Sequence, residues 1–287
     1  MTLRFLGILL CLGIFLNAGA QSPLFKVEIP QEVMEESLRK FSRIEISSAN
    51  GKEEVYAYEY ADRTSLKEVF VEEGIRKIGE YAFLGCTELE EIILPSTLEE
   101  IGEGAFRDCV SLRRLVIPEG VREIPAYMCA WDESLEEVVL PSGLKDIGRN
   151  AFAYCTGLSE ITLPDGLAHI GPNAFSECKS LKEVVIPDSV EELESYAFSG
   201  CEKIGKVILA ANPNMLGELI FTGCKNLKDV IIRSDVPPEF DCGSPLFDIE
   251  EENLWNQCTL WVPEGSRKLY SKATGWRHFY PNIQKIH

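Results

Sequence analysis

The chain has 287 residues, with 28 Lys and Arg against 46 Asp and Glu, a formal net charge of −18. That balance argues against nucleic acid as a partner, because phosphate binding draws on counterions displaced by basic side chains, and it disfavours an anionic membrane surface for the same reason. With 45% hydrophobic residues, the composition is that of a folded protein rather than a disordered one.

Residues 1–20 read as a cleavable signal peptide. Arg4 supplies a weak positive start, Leu6 to Leu16 form a short apolar run, and Ala18-Gly19-Ala20 precede Gln21 as a cleavage signature. The run is short for a bilayer, and no later stretch reaches the ~18 apolar residues of a membrane span. Cys11 follows Ile8-Leu9-Leu10 without the small residues that precede a lipid-modified cysteine. The expected product is exported, to the cell surface, the medium or the periplasm, with no membrane insertion after cleavage. Loss of the leader, which holds one Arg and no acid, takes the formal charge from −18 to −19.

Residues 21–64 are expected to form an N-terminal cap. An amphipathic helix is expected near Pro30 to Phe41, followed by two strand-like stretches. Val55 and Tyr60 stand one period before Ile78 and Phe83, so 42–64 can be read as a degenerate first repeat.

From residue 65 the register is strict. Leu66, Leu89, Leu112, Leu135, Leu158, Leu181, Ile204 and Leu227 recur every 23 residues. Each is followed by two aliphatics at alternate positions, such as Val69/Val71, Ile92/Leu94 and Val184/Ile186. Proline stands next at 95, 118, 141, 164 and 187. Ile78, Ile101, Ile124, Ile147 and Ile170 follow, then Ala-Phe pairs at 82–83, 105–106, 151–152, 174–175 and 197–198. Cys closes the unit at 86, 109, 155, 178, 201 and 224.

The alternation predicts a short strand with two side chains turned inward. Proline ends it for want of an N–H. A unit of this length cannot bury its apolar side alone, whereas stacked units can. The predicted fold is an α/β solenoid: a right-handed leucine-rich-repeat coil of 23-residue units over 65–262, one parallel sheet on one face, capped at both ends. Past Ile232 the register is lost; Val236-Pro237-Pro238 through Asn256 reads as an insertion before a last strand at 259–262, and 263–287 as a C-terminal cap.

The unit L-x-x-V-x-L-P-x-x-[LV]-x-x-I-G-x-x-A-F-x-x-C resembles the Treponema-type leucine-rich repeat of BspA-like bacterial surface proteins, over about 60% of the chain. Cys258-Thr259-Leu260-Trp261-Val262-Pro263, with Gly265-Ser266, Tyr270 and Gly275-Trp276 after it, resembles the terminal segment common in that family. The resemblance implies a surface-displayed or exported interaction protein. Some relatives bind host extracellular matrix glycoproteins, and the family motif carries no catalytic residues.

The candidate chemistry is sparse, and neither an enzyme activity nor a cofactor or metal is expected. Nine cysteines survive cleavage; six share one repeat position, where parallel Cβ vectors suit small buried hydrophobes better than bridges. Cys242 and Cys258 lie in the irregular end, where a disulfide stays open as an alternative. His169 occupies a slot held elsewhere by Lys77, Glu100, Glu123, Asp146 and Glu192, an exposed position. Asp248, Glu250, Glu251 and Glu252 read as a solvated acidic loop, with calcium as the alternative.

The informative surface is the outer side of the sheet. Between the two inward residues of each strand stands one that must face out: Phe70, Ile93, Val116, Val139, Thr162, Val185, Ile208 and Ile231, with Trp261 continuing the line. Glu68, Glu91, Glu137, Glu160, Glu183 and Asp229 flank this column, and Arg114 and Lys206 interrupt the acids. Such a stripe either suits parallel-sheet stacking or marks a binding surface for a protein partner. A periplasmic scaffold or a self-associating module is the competing reading. A third is glycan binding through Trp131, Trp255 or Trp276. The 112–134 unit also breaks pattern, with Met128-Cys129-Ala130-Trp131-Asp132 where others carry Ala-Phe-x-x-Cys. Met128 is expected to fill the space Cys129 leaves, Asp132 to turn outward or cap the next turn, and Trp131 is a secondary binding candidate as an exposed anchor on the return side.

Overall fold

The structure is a computed structural model that describes residues 42–209, 215–240, 246–247 and 252–286. The signal peptide, the helix expected near Pro30 to Phe41, Cys242, and the acidic positions 248–251 lie outside the described residues.

Each coil contributes a longer strand and then a two-residue one. In chain order they are β1 (Arg43–Ile46) and β2 (Glu54–Val55), β3 (Glu68–Val71) and β4 (Lys77–Ile78), β5 (Glu91–Ile93) and β6 (Glu100–Ile101), then β7 (Arg114–Val116) and β8 (Glu123–Ile124). β9 (Glu137–Val139) and β10 (Asp146–Ile147), β11 (His169–Ile170), β12 (Glu183–Val185) and β13 (Glu192–Leu193), β14 (Lys206–Leu209) and β15 (Met215–Leu216), and β16 (Asp229–Ile232) follow. The chain ends with α1 (Glu252–Gln257), β17 (Thr259–Val262), α2 (Arg267–Tyr270) and β18 (Ile283–Lys285).

Every pairing is parallel, and residues one period apart face each other, as in Val69↔Ile92 and Val207↔Val230. β1 joins as well, with Ile44 opposite Val69. The predicted parallel sheet is present in three segments, β1-β3-β5, β7-β9 and β12-β14-β16-β17-β18, and the short strands add a second parallel ladder beyond it, as in Ile147↔Ile170. A third set of coil-to-coil bonds runs along the return side, where Phe83 N donates to Ala105 O at 2.8 Å and Phe152 N to Ala174 O at 2.8 Å. Glycine at 79 and 102 is imposed by this stacking: a Cβ on Gly102 would sit 2.4 Å from the Glu80 nitrogen.

The repeat residues fill a continuous core. Tyr60, Phe83 and Phe106 stack face to face at 5.3 and 5.8 Å, and Phe152, Phe175, Phe198 and Phe221 stack at 5.3, 5.1 and 5.7 Å. Cys129 interrupts the two stacks, with Met128 fully buried beside it. The cysteine column is buried and unbridged, and each thiol donates to a carbonyl of the preceding coil, as Cys178 Sγ does to Phe152 O at 3.2 Å. Cys258 is likewise a buried free thiol. At the C-terminal end Tyr270 Oη donates to Ser234 O at 2.9 Å and Trp276 Nε1 to Pro238 O at 2.8 Å, closing buried aromatics over the last coil.

Two expectations are corrected. Asp132 does not turn outward: it is fully buried in the cysteine column, where Oδ1 accepts the Cys109 amide at 2.7 Å and Oδ2 makes no hydrogen bond. Desolvation pushes its pKa well above the usual carboxylate range, which favours the neutral acid. The reason is its slot: the coil-to-coil bonds fix that position inward whatever residue occupies it. The strand expected at 161–163 also fails to pair, and Ile161 is only half-buried where Val138 and Val184 are buried, so this segment stands off the ladder spacing.

A wider departure lies between the 89–111 and 112–134 coils. No ladder joins β5 to β7 or β6 to β8, although both strand sets are paired on either side of that boundary. Only the return side remains bonded there, with Phe106 N donating to Met128 O at 2.9 Å.

Candidate functional site

The outward column on the long ladder is assembled by register. Phe70 stands beside Ile93, Val116 beside Val139, and Val185, Ile208, Ile231 and Trp261 follow one another. Ile93, Val116, Val139 and Val185 are 44%, 41%, 38% and 44% exposed, high for β-branched side chains, and Thr162 is exposed too. Phe70, Ile208, Ile231 and Trp261 are half-buried. Arg43 lies over the Phe70 ring at 4.5 Å, and the Trp261 indole donates to Asp229 Oδ1 at 2.6 Å. The register puts polar residues at both ends of the column, Glu45 beside Phe70 and Gln284 beside Trp261. The apolar stripe therefore has defined limits.

The flanking acids are less naked than their sequence suggests. Arg43 pairs with Glu68 at 3.4 Å, Arg114 with Glu137 at 2.8 Å and Lys206 with Glu183 at 2.8 Å, each between neighbouring strands. Exposed pairs of this kind contribute about 0.2–1 kcal/mol each. Glu91, Glu160 and Asp229 have no ion pair among the described residues, so the residual negative charge of the flank falls at those three positions.

The remaining candidates are distributed elsewhere. Trp131 lies on the return side at φ 68°, half-buried, with Tyr154 from the next coil stacked on it at 5.6 Å and Arg107 from the preceding coil over its ring at 4.6 Å. Both faces of the indole are thus covered. Trp255 is 6% exposed and Trp276 is fully buried. None of the three offers a free ring face, which corrects the glycan reading, because stacking on a sugar needs one. Sequence reasoning missed the Tyr154 and Arg107 neighbours, although the period places residues 108, 131 and 154 in one slot.

His169 belongs to the short ladder, its Nδ1 2.8 Å from Asp146 Oδ1 and its Nε2 3.6 Å from Glu192 Oε2. Burial raises the pKa of the column thiols: Cys86 is pushed up to about 11, and Cys109, Cys155 and Cys201 are raised well above the ordinary thiol range. A thiol that stays protonated is neither a nucleophile nor a metal ligand. Among the described residues, no three His, Cys, Asp or Glu side chains are grouped to hold a metal ion. No helix there is long and apolar enough to cross a membrane.

Comparison with known proteins agrees with this architecture. The model of the BspA type leucine rich repeat region matches six copies, over residues 53–158 and 122–238. The T. pallidum leucine-rich-repeat protein is 30% identical, with 65% of this chain and 78% of that one covered and a TM-score of 0.48. The pneumococcal vaccine antigen PcpA is 17% identical over 86% and 77% of the two chains, with a TM-score of 0.51, and shares the fold. A leucine-rich cell surface protein of Faecalibacterium prausnitzii is 22% identical over 86% and 79%, with a TM-score of 0.41. No curated protein matches. With its repeats matched over more than half its length, the chain belongs to the BspA-type leucine-rich-repeat family.

Proposed function

We propose that this chain is an exported, non-enzymatic binding protein that holds a protein partner on the outer face of its long ladder. The observation that carries the reading is the row of exposed aliphatics at 93, 116, 139 and 185, bounded by polar residues at both ends. An apolar stripe with defined limits and a charged border has the anatomy of a protein interface. The partner it fits presents aliphatic and basic groups. An extracellular matrix glycoprotein of a host is the class to search first, since the chain is of bacterial surface-protein type. Two copies meeting face to face would oppose their own Glu91 and Glu160 columns, which favours an unlike partner over self-association.

Protease shaving of intact cells, with a periplasmic protein as control and the medium assayed alongside, tests export to the surface. Cleavage or shedding while the control survives is the expected outcome; protection until the envelope is opened would end the host-binding reading. A matrix-glycoprotein panel then tests the face. Val139→Lys combined with Val185→Lys is expected to leave the circular dichroism spectrum unchanged and to reduce binding at least tenfold. Retained binding would remove this face from consideration.

A further inference from the structure

The return side carries a departure of its own. The slot just before each column cysteine, or its equivalent, is left-handed from Asp62 through Gly223, at φ 58° to 75°. Gly85, Gly200 and Gly223 fill it with glycine and Asp62 and Asp108 with aspartate, residue types that tolerate such a backbone. Trp131 and Tyr154, in consecutive coils, are bulky side chains in a conformation that disfavours them. Neither fills the core: Tyr154 is 42% exposed and Trp131 is half-buried. Backbone strain of this kind clusters at sites that bind or react.

We propose that Trp131, Tyr154, Tyr127 and Arg107 form a second contact surface, separate from the long-ladder face, that seats a proline-rich segment of a protein partner in the polyproline II conformation. Three observations point to that occupant. The patch presents hydrogen-bond donors: among the described residues Trp131 Nε1, Tyr127 Oη and Tyr154 Oη take part in no hydrogen bond, whereas the Trp261 and Trp276 indoles are both bonded. A proline-rich segment brings carbonyls to accept from them and has no N–H of its own to satisfy. The rings are also held in place before anything binds. Tyr154 stacks on Trp131 at 5.6 Å, and Arg107 lies over Trp131 at 4.6 Å and over Tyr127 at 5.8 Å. Fixed aromatic surfaces receive pyrrolidine rings with little ordering cost, since the ligand is stiff as well. Trp131 offers its edge, and Tyr154 the ring face turned away from Trp131. Finally, the one formal charge in the patch, on Arg107, is paired with Asp108 at 3.2 Å, so an uncharged ligand suits it better than the basic one suited to the long-ladder face.

The test uses the full chain and a defined probe, labelled decaproline titrated by fluorescence anisotropy, with a Gly-Ser peptide of the same length as control. The wild-type chain is expected to bind decaproline at least tenfold more tightly than the control. Trp131→Gly and Tyr154→Gly install the residue that other coils carry in the same slot. Each is expected to keep the wild-type circular dichroism spectrum and to weaken decaproline binding tenfold or more. Trp131→Phe keeps a ring but removes the indole N–H, and is expected to weaken binding severalfold, a reading that stands even if a glycine variant fails to fold. Val139→Lys combined with Val185→Lys is expected to shift the decaproline affinity less than twofold, which separates this surface from the long-ladder face. No binding by the wild-type chain, equal binding of the two peptides, undiminished binding by the Trp131 and Tyr154 variants, or loss of binding in the long-ladder variant would each overturn the proposal.

Discussion

Asp132→Asn isolates the cost of a carboxyl in the middle of the core. Asparagine retains an Oδ1 to accept the Cys109 amide and cannot ionise. In the unfolded chain Asp132 titrates near 3.9, whereas in the fold burial raises its pKa well above that. Over the intervening range the folded protein holds a proton that the unfolded chain has released, so its stability falls as pH rises. The slope is about 1.4 kcal/mol per pH unit wherever the folded carboxyl keeps its proton and the unfolded one has lost it, and the variant is spared that loss. Urea unfolding of both proteins at pH 5, 6 and 7 reads this directly, since the contributions of all other titrating groups cancel in the difference. The Asn variant is expected to be the more stable at pH 7, with the gap narrowing toward pH 5. Parallel pH profiles would refute the reasoning, for they would mean that the carboxyl is ionised or hydrated in the fold.

The thiols make a second case: maleimide at neutral pH is expected to leave Cys86, Cys109, Cys155, Cys178, Cys201 and Cys224 unmodified in the native protein and to label all of them in denaturant, as read by mass spectrometry. Rapid native labelling would show that the column is open. Gly102→Ala is expected to destabilise by about 1–3 kcal/mol in thermal or chemical unfolding, because its Cβ meets backbone rather than a yielding side chain. A change within experimental error would mean that the coils separate there at no cost.

The long ladder was readable because its inward aliphatics alternate and its leading Leu repeats at a fixed interval, two signals that reinforce one another. The short ladder was not, since a two-residue strand such as Lys77–Ile78 is too brief to show alternation. Inertness of the cysteines could be inferred from a shared slot alone, but the same argument applied to Asp132 would have buried it; assigning a polar residue outward on chemical grounds overrode the register. The outward column was located residue by residue, yet its neutralised flank depends on which strand each cation leans toward, as Arg114 does toward Glu137, and sequence alone does not give that direction. Pro125 stands where neighbouring coils carry Gly102 and Gly148, a change the sequence reading did not single out. Its missing N–H removes the short-ladder rung to Ile101, a consequence that appears only once the coils are stacked.

That proline also gives the solenoid a mechanical character. A rod of stacked coils transmits force along its axis through the hydrogen bonds between neighbours, which act in parallel on three sides. At the 89–111 and 112–134 boundary two of those sides are missing, and the load falls on the return-side bonds, from Gly104 N to Ala126 O at 3.0 Å, Phe106 N to Met128 O at 2.9 Å and Asp108 N to Ala130 O at 3.0 Å. Under tension between its ends the stack is expected to yield there first, leaving two shorter stacks that are each held by the short ladder and the return-side bonds. The junction would then act as a fuse that lets the chain lengthen before either half unfolds.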